Sequence, residues 1–212
     1  MSHQFDLFDD GRNEILSSPD YGVFRDRLVS SGCMRCPLSE GRTHIVVDRG
    51  NPEARLMFIG EGPGENEDRE GLAFVGRAGK LMDALMAEIG LDTNRDSLIV
   101  NVVKCRPPQN RAPREEEAGE CLPYLKKQIE LVRPRLIALL GATALKYIVP
   151  RREVSSMEQA VGKIFKCPEY PGVDFMVLYH PAYLLYDPRK KRVMMEHLEL
   201  LKSLLLEKGI TA

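Results

Sequence analysis

The sequence lacks any apolar run long enough to cross a membrane, which would take about 20 consecutive apolar residues. Its beginning, "MSHQFDLFDDGRNEI", lacks the basic start and the apolar centre of a secretory signal. Internal repeats and low-complexity segments are also missing. From these absences we expect a cytoplasmic protein with no membrane partner.

An excess of charge of either sign is absent as well, since 30 Lys and Arg stand against 31 Asp and Glu and the net charge is -1. A protein that coats nucleic acid with its whole surface is thereby excluded, and any site for a polyanion has to be local. The 212 residues, 43% of them hydrophobic, suffice for one core. We expect a single domain over residues 1–212 that works as a monomer, with residues 1–15 as a loose arm.

Four short apolar runs predict buried strands: "ARLMFIG", "DSLIVNVVKC", "PRLIALLG" and "DFMVLYHP". Helical periodicity occurs between them and after the last one, in "AGKLMDALMAEIG", "REEEAGECLPYLKKQIELV", "GATALKYIV" and "RKKRVMMEHLELLKSLLLEKG". This alternation predicts an α/β fold, a three-layer α/β/α sandwich around a central, mainly parallel four-stranded sheet. Ligands of such sheets bind outside the carboxyl ends of the strands, so we expect the site at "GEGPGE", "NVVKCRPPQNR", "GATA" and "HPAYLL".

The five cysteines are an odd number, which argues against a disulfide framework. Cys33 and Cys36 form a C-x-x-C, Cys105 ends a predicted strand, and Cys121 lies in the next predicted helix. A C-x-x-C fits a redox pair, half a zinc site or half an iron–sulfur site, and the redox pair is weakest because the motif precedes the first strand. The wide, asymmetric spacing favours a cluster over zinc, while Cys105 and Cys121 also fit ordinary buried core positions.

The loop "GEGPGENEDREGLAFVG" combines glycines, which let the backbone approach a ligand closely, with five acids. It matches neither of two common phosphate-binding fingerprints, and its acids would repel a phosphate. A carboxylate at a strand end can instead orient a water or stabilise a developing cation. Glu61, in the tight turn, is the first candidate and Glu67 the rival, while we interpret Glu65, Asp68 and Glu70 as solvated surface.

Three further side chains near predicted strand ends suit a planar, uncharged ligand. Phe74 is placed to stack on a ring. Asn101 interrupts an apolar run and offers a donor beside an acceptor, as reading a pyrimidine edge requires. His180 follows the last strand. Each also has an ordinary alternative: a core aromatic, an Asn satisfied by backbone, and a structural His.

Two basic tracts, "KCRPPQNRAPR" and "AYLLYDPRKKR", flank the expected crevice. They make Arg106, Arg111, Lys190 and Lys191 candidate contacts to a nucleic-acid backbone. Exposed apolar residues beside the second tract fit a wedge between bases, or simply a loop that enters a helix.

Together these motifs resemble the family 4 uracil-DNA glycosylases, the iron–sulfur branch of the uracil-DNA glycosylase superfamily. The resemblance runs from about Cys33 to the C-terminal helix. It rests on seven motifs in the family's order: "GCMRCPL", "GEGPGENED", "FVGRAGKLMD", "NVVKCRPPQNRAP", "ECLPYL", "RPRLIALLGATA" and "HPAYLL". The sequence departs from the family at Ala73, where Pro is usual, and at Tyr186, where Arg is common.

The resemblance implies a DNA repair enzyme that flips deoxyuridine out of single- or double-stranded DNA and hydrolyses its N-glycosidic bond, which leaves an abasic site. It implies a [4Fe–4S] cluster on four ligands, Cys33, Cys36, Cys105 and Cys121. The alternative is a non-catalytic or covalent uracil-DNA-binding iron–sulfur protein. Covalent relatives carry a basic, His-containing insertion after the Phe motif, and none stands between Phe74 and Gly90.

The resemblance also implies roles for single residues. Phe74 would stack on the flipped uracil, Asn101 would read its Watson–Crick edge, and His180 would bond to the O2 side. The backbone from Gly60 to Gly62 would line the uracil pocket. For the acid that orients the water, Glu61 stays the first candidate and Glu67 the second.

Overall fold

A mixed sheet organises the chain, for which the computed structural model describes residues 11–149 and 157–210. The strands in this part are β1 Arg49–Gly50, β2 Leu56–Gly60, β3 Ser97–Asn101, β4 Leu136–Leu140, β5 Ile164–Lys166 and β6 Asp174–Leu178. They lie in the order β1-β3-β2-β4-β6-β5. The four inner strands are parallel, and the two outer strands pair antiparallel to their neighbours.

Helices connect and flank the strands. Those in the described residues are α1 Arg12–Leu16, α2 Tyr21–Ser30, α3 Glu65–Glu70, α4 Arg77–Glu88, α5 Thr93–Asp96, α6 Glu115–Val132, α7 Gly141–Ile148, α8 Met157–Ala160, α9 Pro181–Tyr186 and α10 Lys191–Glu207. Side chains alternate between the two faces of the sheet, as β-strand geometry requires. Met57, Ile59 and Ile137 join a core with α2 and α6, while Phe58 and Ala138 join another with α4 and α10. The predicted three-layer α/β/α sandwich is therefore confirmed.

The four predicted strands are the four inner ones, and β1 and β5 were not predicted. They are two and three residues long, and neither is buried, so neither leaves an apolar run in the sequence. Strand β3 is shorter than its apolar run, because the chain bends after Asn101, where Val102 and Val103 still donate to the carbonyls of Gly60 and Glu61. The single-domain organisation stays a prediction.

The predicted loose arm lies partly outside the described residues, which begin at residue 11. For residues 12–15 the prediction is wrong, because they belong to α1, where Ile15 is buried in the core. The guanidinium of Arg12 donates to the Glu120 carboxylate at 3.0 Å, which ties α1 to α6. Nowhere in residues 11–149 and 157–210 does a helix have the length and apolar character needed to span a membrane.

Strand register aligns the carboxyl ends of the inner strands. Gly60 of β2 pairs with Asn101 of β3, and Leu140 of β4 pairs with Leu178 of β6. The residues that follow these positions therefore meet at one edge of the sheet, as the sequence predicts.

Candidate active site

A cleft of about 510 Å³ opens at this edge of the sheet. Its walls come from the residues that follow β2, β3, β4 and β6 and from the start of α4. Six of the predicted site residues line it: Glu61, Gly62, Glu67, Phe74, Arg111 and His180. The cleft is large enough for a nucleobase with part of its sugar, since small-molecule pockets span about 300–1,000 Å³.

Gly60 brings Phe74 and Asn101 together beside the cleft. A Cβ on Gly60 would lie 2.5 Å from Oδ1 of Asn101 and 2.6 Å from Cε2 of the Phe74 ring. Only glycine leaves room for both side chains to approach the strand end this closely.

Asn101 carries an amide with no partner. The side chain is 1% exposed, and both Oδ1 and Nδ2 are buried without a hydrogen bond in the described residues. A buried amide without partners costs roughly 1–3 kcal/mol, so such groups are rare in folded proteins. The alternative of an Asn satisfied by neighbouring backbone is therefore wrong, and the pair of orphaned atoms fits a ligand that brings its own donor and acceptor.

Phe74 is held in an unusual backbone conformation. Its φ is +55°, in the left-handed region that non-glycine residues seldom adopt. Gly79, in the first turn of α4, allows this turn because a Cβ there would overlap the Phe74 carbonyl. Strain of this kind concentrates at ligand sites, and here it orients an aromatic ring onto the wall of the cleft.

The imidazole of His180 is a neutral hydrogen-bond donor. Burial lowers its pKa to about 4, well below the ordinary 6.5. Its Nδ1 accepts a hydrogen bond from the Ala182 backbone N–H at 3.2 Å, so in the neutral ring the proton is on Nε2. The ring centroid lies 5.5 Å from that of Phe74. One wall of the cleft therefore presents an aromatic face beside an N–H donor.

Glu61 is anchored by a residue that the sequence analysis did not single out. The Thr143 hydroxyl, in the first turn of α7, donates to Oε2 of Glu61. In the described part of the chain Oε1 has no such partner, which leaves it able to hold a water in the cleft. The signal for Thr143 lay in "GATA", one of the four predicted strand ends.

Glu67 differs, because both of its carboxylate oxygens accept backbone hydrogen bonds. Gly64 N–H donates to Oε2 at 3.1 Å and Gly76 N–H to Oε1 at 2.6 Å. Glu67 thus ties the start of α3 to the start of α4 and fixes the loop that carries Phe74. These contacts favour Glu61 as the acid that orients water.

The prediction that Asp68 is solvated surface is wrong. It is 5% exposed, and its Oδ1 accepts from the backbone N–H groups of Thr43 and His44. Glu65 and Glu70 are exposed, as predicted. Asp68 faces inward because the acidic run forms α3, a helix with one face turned to the protein.

The four basic residues predicted to bind the DNA backbone differ in how their side chains are already bound within the protein. Arg111 lines the cleft but makes two hydrogen bonds, at 2.6 and 2.8 Å, to the fully buried Glu117. Lys191 pairs with Glu88 at 2.8 Å. Arg106 donates to Asn110 and pairs with Glu65 at 3.7 Å. Lys190 lies 5.6 Å from the centre of the Tyr179 ring.

An arginine missed from the sequence lines the same cleft. Arg77, at the start of α4, is exposed and forms no ion pair with any described residue. Its only sequence signal is a basic residue between two glycines in "FVGRAG". It offers the cleft a positive charge with no carboxylate bound to it.

A separate small cavity gathers the four predicted ligand cysteines, Cys33, Cys36, Cys105 and Cys121. Arg42 and Lys104 also line it, and Arg42 donates to the Cys105 sulfur at 3.5 Å. Burial raises the pKa of Cys105 to about 11 and that of Cys121 to about 12. Within residues 11–149 and 157–210, however, no three His, Cys, Asp or Glu side chains are arranged as metal ligands.

Four thiols around one cavity, with two cations at its wall, nevertheless suit an anionic group bound through sulfur. Thiolates bind metal in their deprotonated form, and neighbouring cations stabilise that form. A disulfide-bonded interpretation gains no support, because all four cysteines are free.

A model of the uracil DNA glycosylase superfamily matches residues 47–202. The chain belongs to this superfamily. The matched segment includes β2, β3, β4 and β6, so every strand end that lines the cleft is part of it.

Several type-4 uracil-DNA glycosylases are similar to the chain. That of Sulfurisphaera tokodaii is 42% identical over 185 residues, which covers 85% of this chain and 82% of the relative. That of Thermotoga maritima is 42% identical, covering 84% and 91%, and that of Saccharolobus solfataricus is 43% identical, covering 84% of each. The resemblance of the seven motifs to family 4 of the superfamily is thus confirmed.

Proposed function

We propose that this member of the superfamily is a uracil-DNA glycosylase that removes uracil from DNA by hydrolysis. The observation that carries the proposal is the unpartnered amide of Asn101, next to Phe74 and close to the aligned strand ends. A uracil edge offers an acceptor beside a donor, which complements an amide with both atoms free. The similarity to the type-4 enzymes supports the same activity.

Binding begins with extrusion of the deoxyuridine from the stack, at a cost of a few kcal/mol that is smallest for a mispaired base. The flipped base stacks on Phe74, and Asn101 bonds to its edge. The orphaned amide then gains the hydrogen bonds that it lacks in the free protein. Part of the extrusion cost is offset in this way.

Bond cleavage places negative charge on the departing uracil and positive charge on the sugar. The Nε2–H of neutral His180 donates to the uracil O2 side, where charge accumulates. Glu61, held by Thr143, orients the attacking water and stabilises the sugar cation. The products are free uracil and an abasic site in DNA.

We infer that the cavity of Cys33, Cys36, Cys105 and Cys121 holds a [4Fe–4S] cluster. The four thiols and the adjacent Arg42 and Lys104 support this inference, together with the resemblance to family 4. The cluster would link the segment before β1 to the segment after β3 and to α6. Protein purified without oxygen is expected to be brown and to contain about four irons per chain, measured by metal analysis and visible absorption. Stoichiometric zinc without colour would contradict the inference.

The activity is tested by release of uracil from an oligonucleotide with one U·G pair, compared with a T·A control of the same sequence. We expect uracil and an abasic strand from the first and no release from the second. Binding without release would favour the non-catalytic alternative. A protein–DNA adduct that resists denaturation would favour the covalent one.

Glu61→Gln and Glu67→Gln distinguish the roles of the two acids. We expect the first variant to lower the rate and the second to lower the stability. Glu61→Gln should lower kcat about 100-fold with little change in the unfolding midpoint, because it weakens activation of water. Glu67→Gln should lower the free energy of unfolding by about 1–2 kcal/mol, because one oxygen that accepts a backbone N–H is lost. Single-turnover kinetics and thermal unfolding measure the two effects. A larger loss of the chemical rate in Glu67→Gln would reverse the assignment.

Arg77→Ala is expected to weaken DNA binding and to reduce the slope of log K against log salt by about one, since one free phosphate contact is lost. Lys191→Ala is the matched comparison. Its ammonium is already bound by Glu88, so its slope should change less. Fluorescence anisotropy with an abasic duplex at several salt concentrations measures both, and equal slopes for wild type and Arg77→Ala would refute the contact.

A further inference from the structure

Lys104 is a buried lysine that contacts the backbone of the base-reading residue. Its side chain is 1% exposed, and its Nζ donates to the Asn101 carbonyl at 2.7 Å. A second bond goes to Oε1 of Gln128 on α6. The lysine therefore closes the turn after β3 and fixes the peptide group from which the Asn101 side chain projects.

The same lysine borders the cysteine cavity. It lies among the residues that line the cavity, together with Cys105 and Cys121. Its next residue along the chain is Cys105. One residue thus borders the cysteine cavity and also contacts Asn101 through its side chain.

A polar network continues from Lys104 to the other wall of the base pocket. Gln128 donates to the Tyr21 hydroxyl at 2.8 Å, and that hydroxyl donates to the Asp48 carboxylate at 2.9 Å. The Asp48 carbonyl accepts from the N–H of Ala73, which precedes Phe74. Both residues expected to hold uracil are therefore attached to this network through their own or neighbouring backbone.

A buried ammonium is costly unless opposite charge lies near it. Both hydrogen-bond acceptors of Lys104 are neutral oxygens. Asp48, beyond Gln128 and Tyr21, is already paired with Arg25 at 2.7 Å. The cavity cysteines supply negative charge near the ammonium once they bind a group as thiolates. A methionine would fill the same space without this cost, so packing alone does not explain a lysine here.

We propose that Lys104 is a positioning residue that couples the cysteine cavity to Asn101. Its ammonium balances the charge of the group bound by the cysteines and, by holding the Asn101 carbonyl, sets the amide in the orientation that reads a pyrimidine. The part of the inference that concerns uracil rests on the proposed function. The part that concerns charge balance rests on the cysteine cavity.

Lys104→Met tests both parts of the inference. The matched control is Lys126→Met, because Lys126 is an exposed lysine on α6. Iron content should stay at the wild-type level. Inhibition by free uracil should weaken at least about 10-fold and kcat should fall by a similar factor, because the amide is misplaced. Affinity for an abasic duplex, which has no base to read, should stay within about twofold. The reduction potential of the cluster should become more negative, since a nearby cation favours the reduced form. Lys126→Met should leave all five measurements unchanged.

Gln128→Leu is the second variant, and it decides the question if Lys104→Met fails to fold or loses iron. It removes one of the two acceptors and keeps the charge, so uracil inhibition should weaken about threefold while the potential stays at the wild-type value. Iron-replete variants that bind free uracil as wild type does would overturn the proposal. If wild type itself neither released nor bound uracil, the failure would instead lie with the proposed function.

Discussion

Asn101→Ala is expected to lower kcat for uracil release about 1000-fold without unfolding the protein. The amide supplies both the recognition of the uracil edge and a donor that stabilises the departing anion. Removing one donor of this kind costs about 100- to 1000-fold, and the loss of edge recognition adds to it. The measurement is single-turnover release from a U·G oligonucleotide at saturating protein.

The stability of Asn101 variants separates a binding amide from a structural one. Because Oδ1 and Nδ2 have no partners in the described residues, the amide contributes no hydrogen bond to the free protein. Asn101→Leu keeps a similar shape and removes the unsatisfied atoms, so we expect its unfolding midpoint to match or exceed that of wild type. Asn94→Ala, at an exposed asparagine, is the control and should change neither rate nor midpoint. A marked drop in the midpoint of Asn101→Leu would indicate that the amide serves the fold.

His180→Asn is expected to lower kcat several hundred-fold and to retain stability. An Asn side chain can still accept the hydrogen bond from the Ala182 N–H, but it lacks a donor at the position of Nε2. His180→Gln is the complementary variant, since it can reach toward Nε2 but loses the acceptor near Ala182. We therefore expect His180→Gln to be more active and less stable than His180→Asn. The opposite order in either property would contradict a role as donor to the leaving base.

The pKa of about 4 for His180 also predicts a pH dependence. The folded protein binds a proton on this ring less readily than the unfolded chain, whose pKa is near 6.5. The stability that the neutral ring contributes is therefore complete above pH 6.5 and is lost as the pH falls toward 4. Between pH 6.5 and 9 the rate should show no step from His180. Urea unfolding of wild type and His180→Asn at pH 7 and pH 4.5 measures the difference, which should be smaller in the variant.

The sequence predicts the four inner strands well, because buried parallel strands are continuous apolar runs that can be recognised in the sequence itself. Alignment of the carboxyl ends follows from parallel pairing, so the sequence alone assigns Glu61, Phe74 and His180 to one crevice. The edge strands β1 and β5 could not be predicted. They are short and half-exposed, and they form only because a neighbour offers unpaired backbone groups.

Contacts between residues that are far apart in the chain could not be predicted from the sequence. Thr143 anchors Glu61 across 82 positions, and Lys104 reaches Gln128 across 24. Asp68 stands in an acidic run that is typical of solvated surface, and only the packing of α3 turns it toward the backbone of Thr43. Likewise, the sequence around Glu67 does not indicate that both of its carboxylate oxygens accept hydrogen bonds from glycine N–H groups. Local patterns do not specify such contacts, which depend on how the layers pack.

The strand order also governs when the pocket can exist. Glu61 follows β2 and His180 follows β6, and β4 lies between these strands in the sheet. Long-range parallel pairing of this kind forms slowly, and a chain emerges from the ribosome beginning at its N-terminus. A nascent chain that ends before β6 has neither the histidine nor the strand that positions it. The uracil pocket is therefore complete only after β6 has been synthesised and has paired with β4.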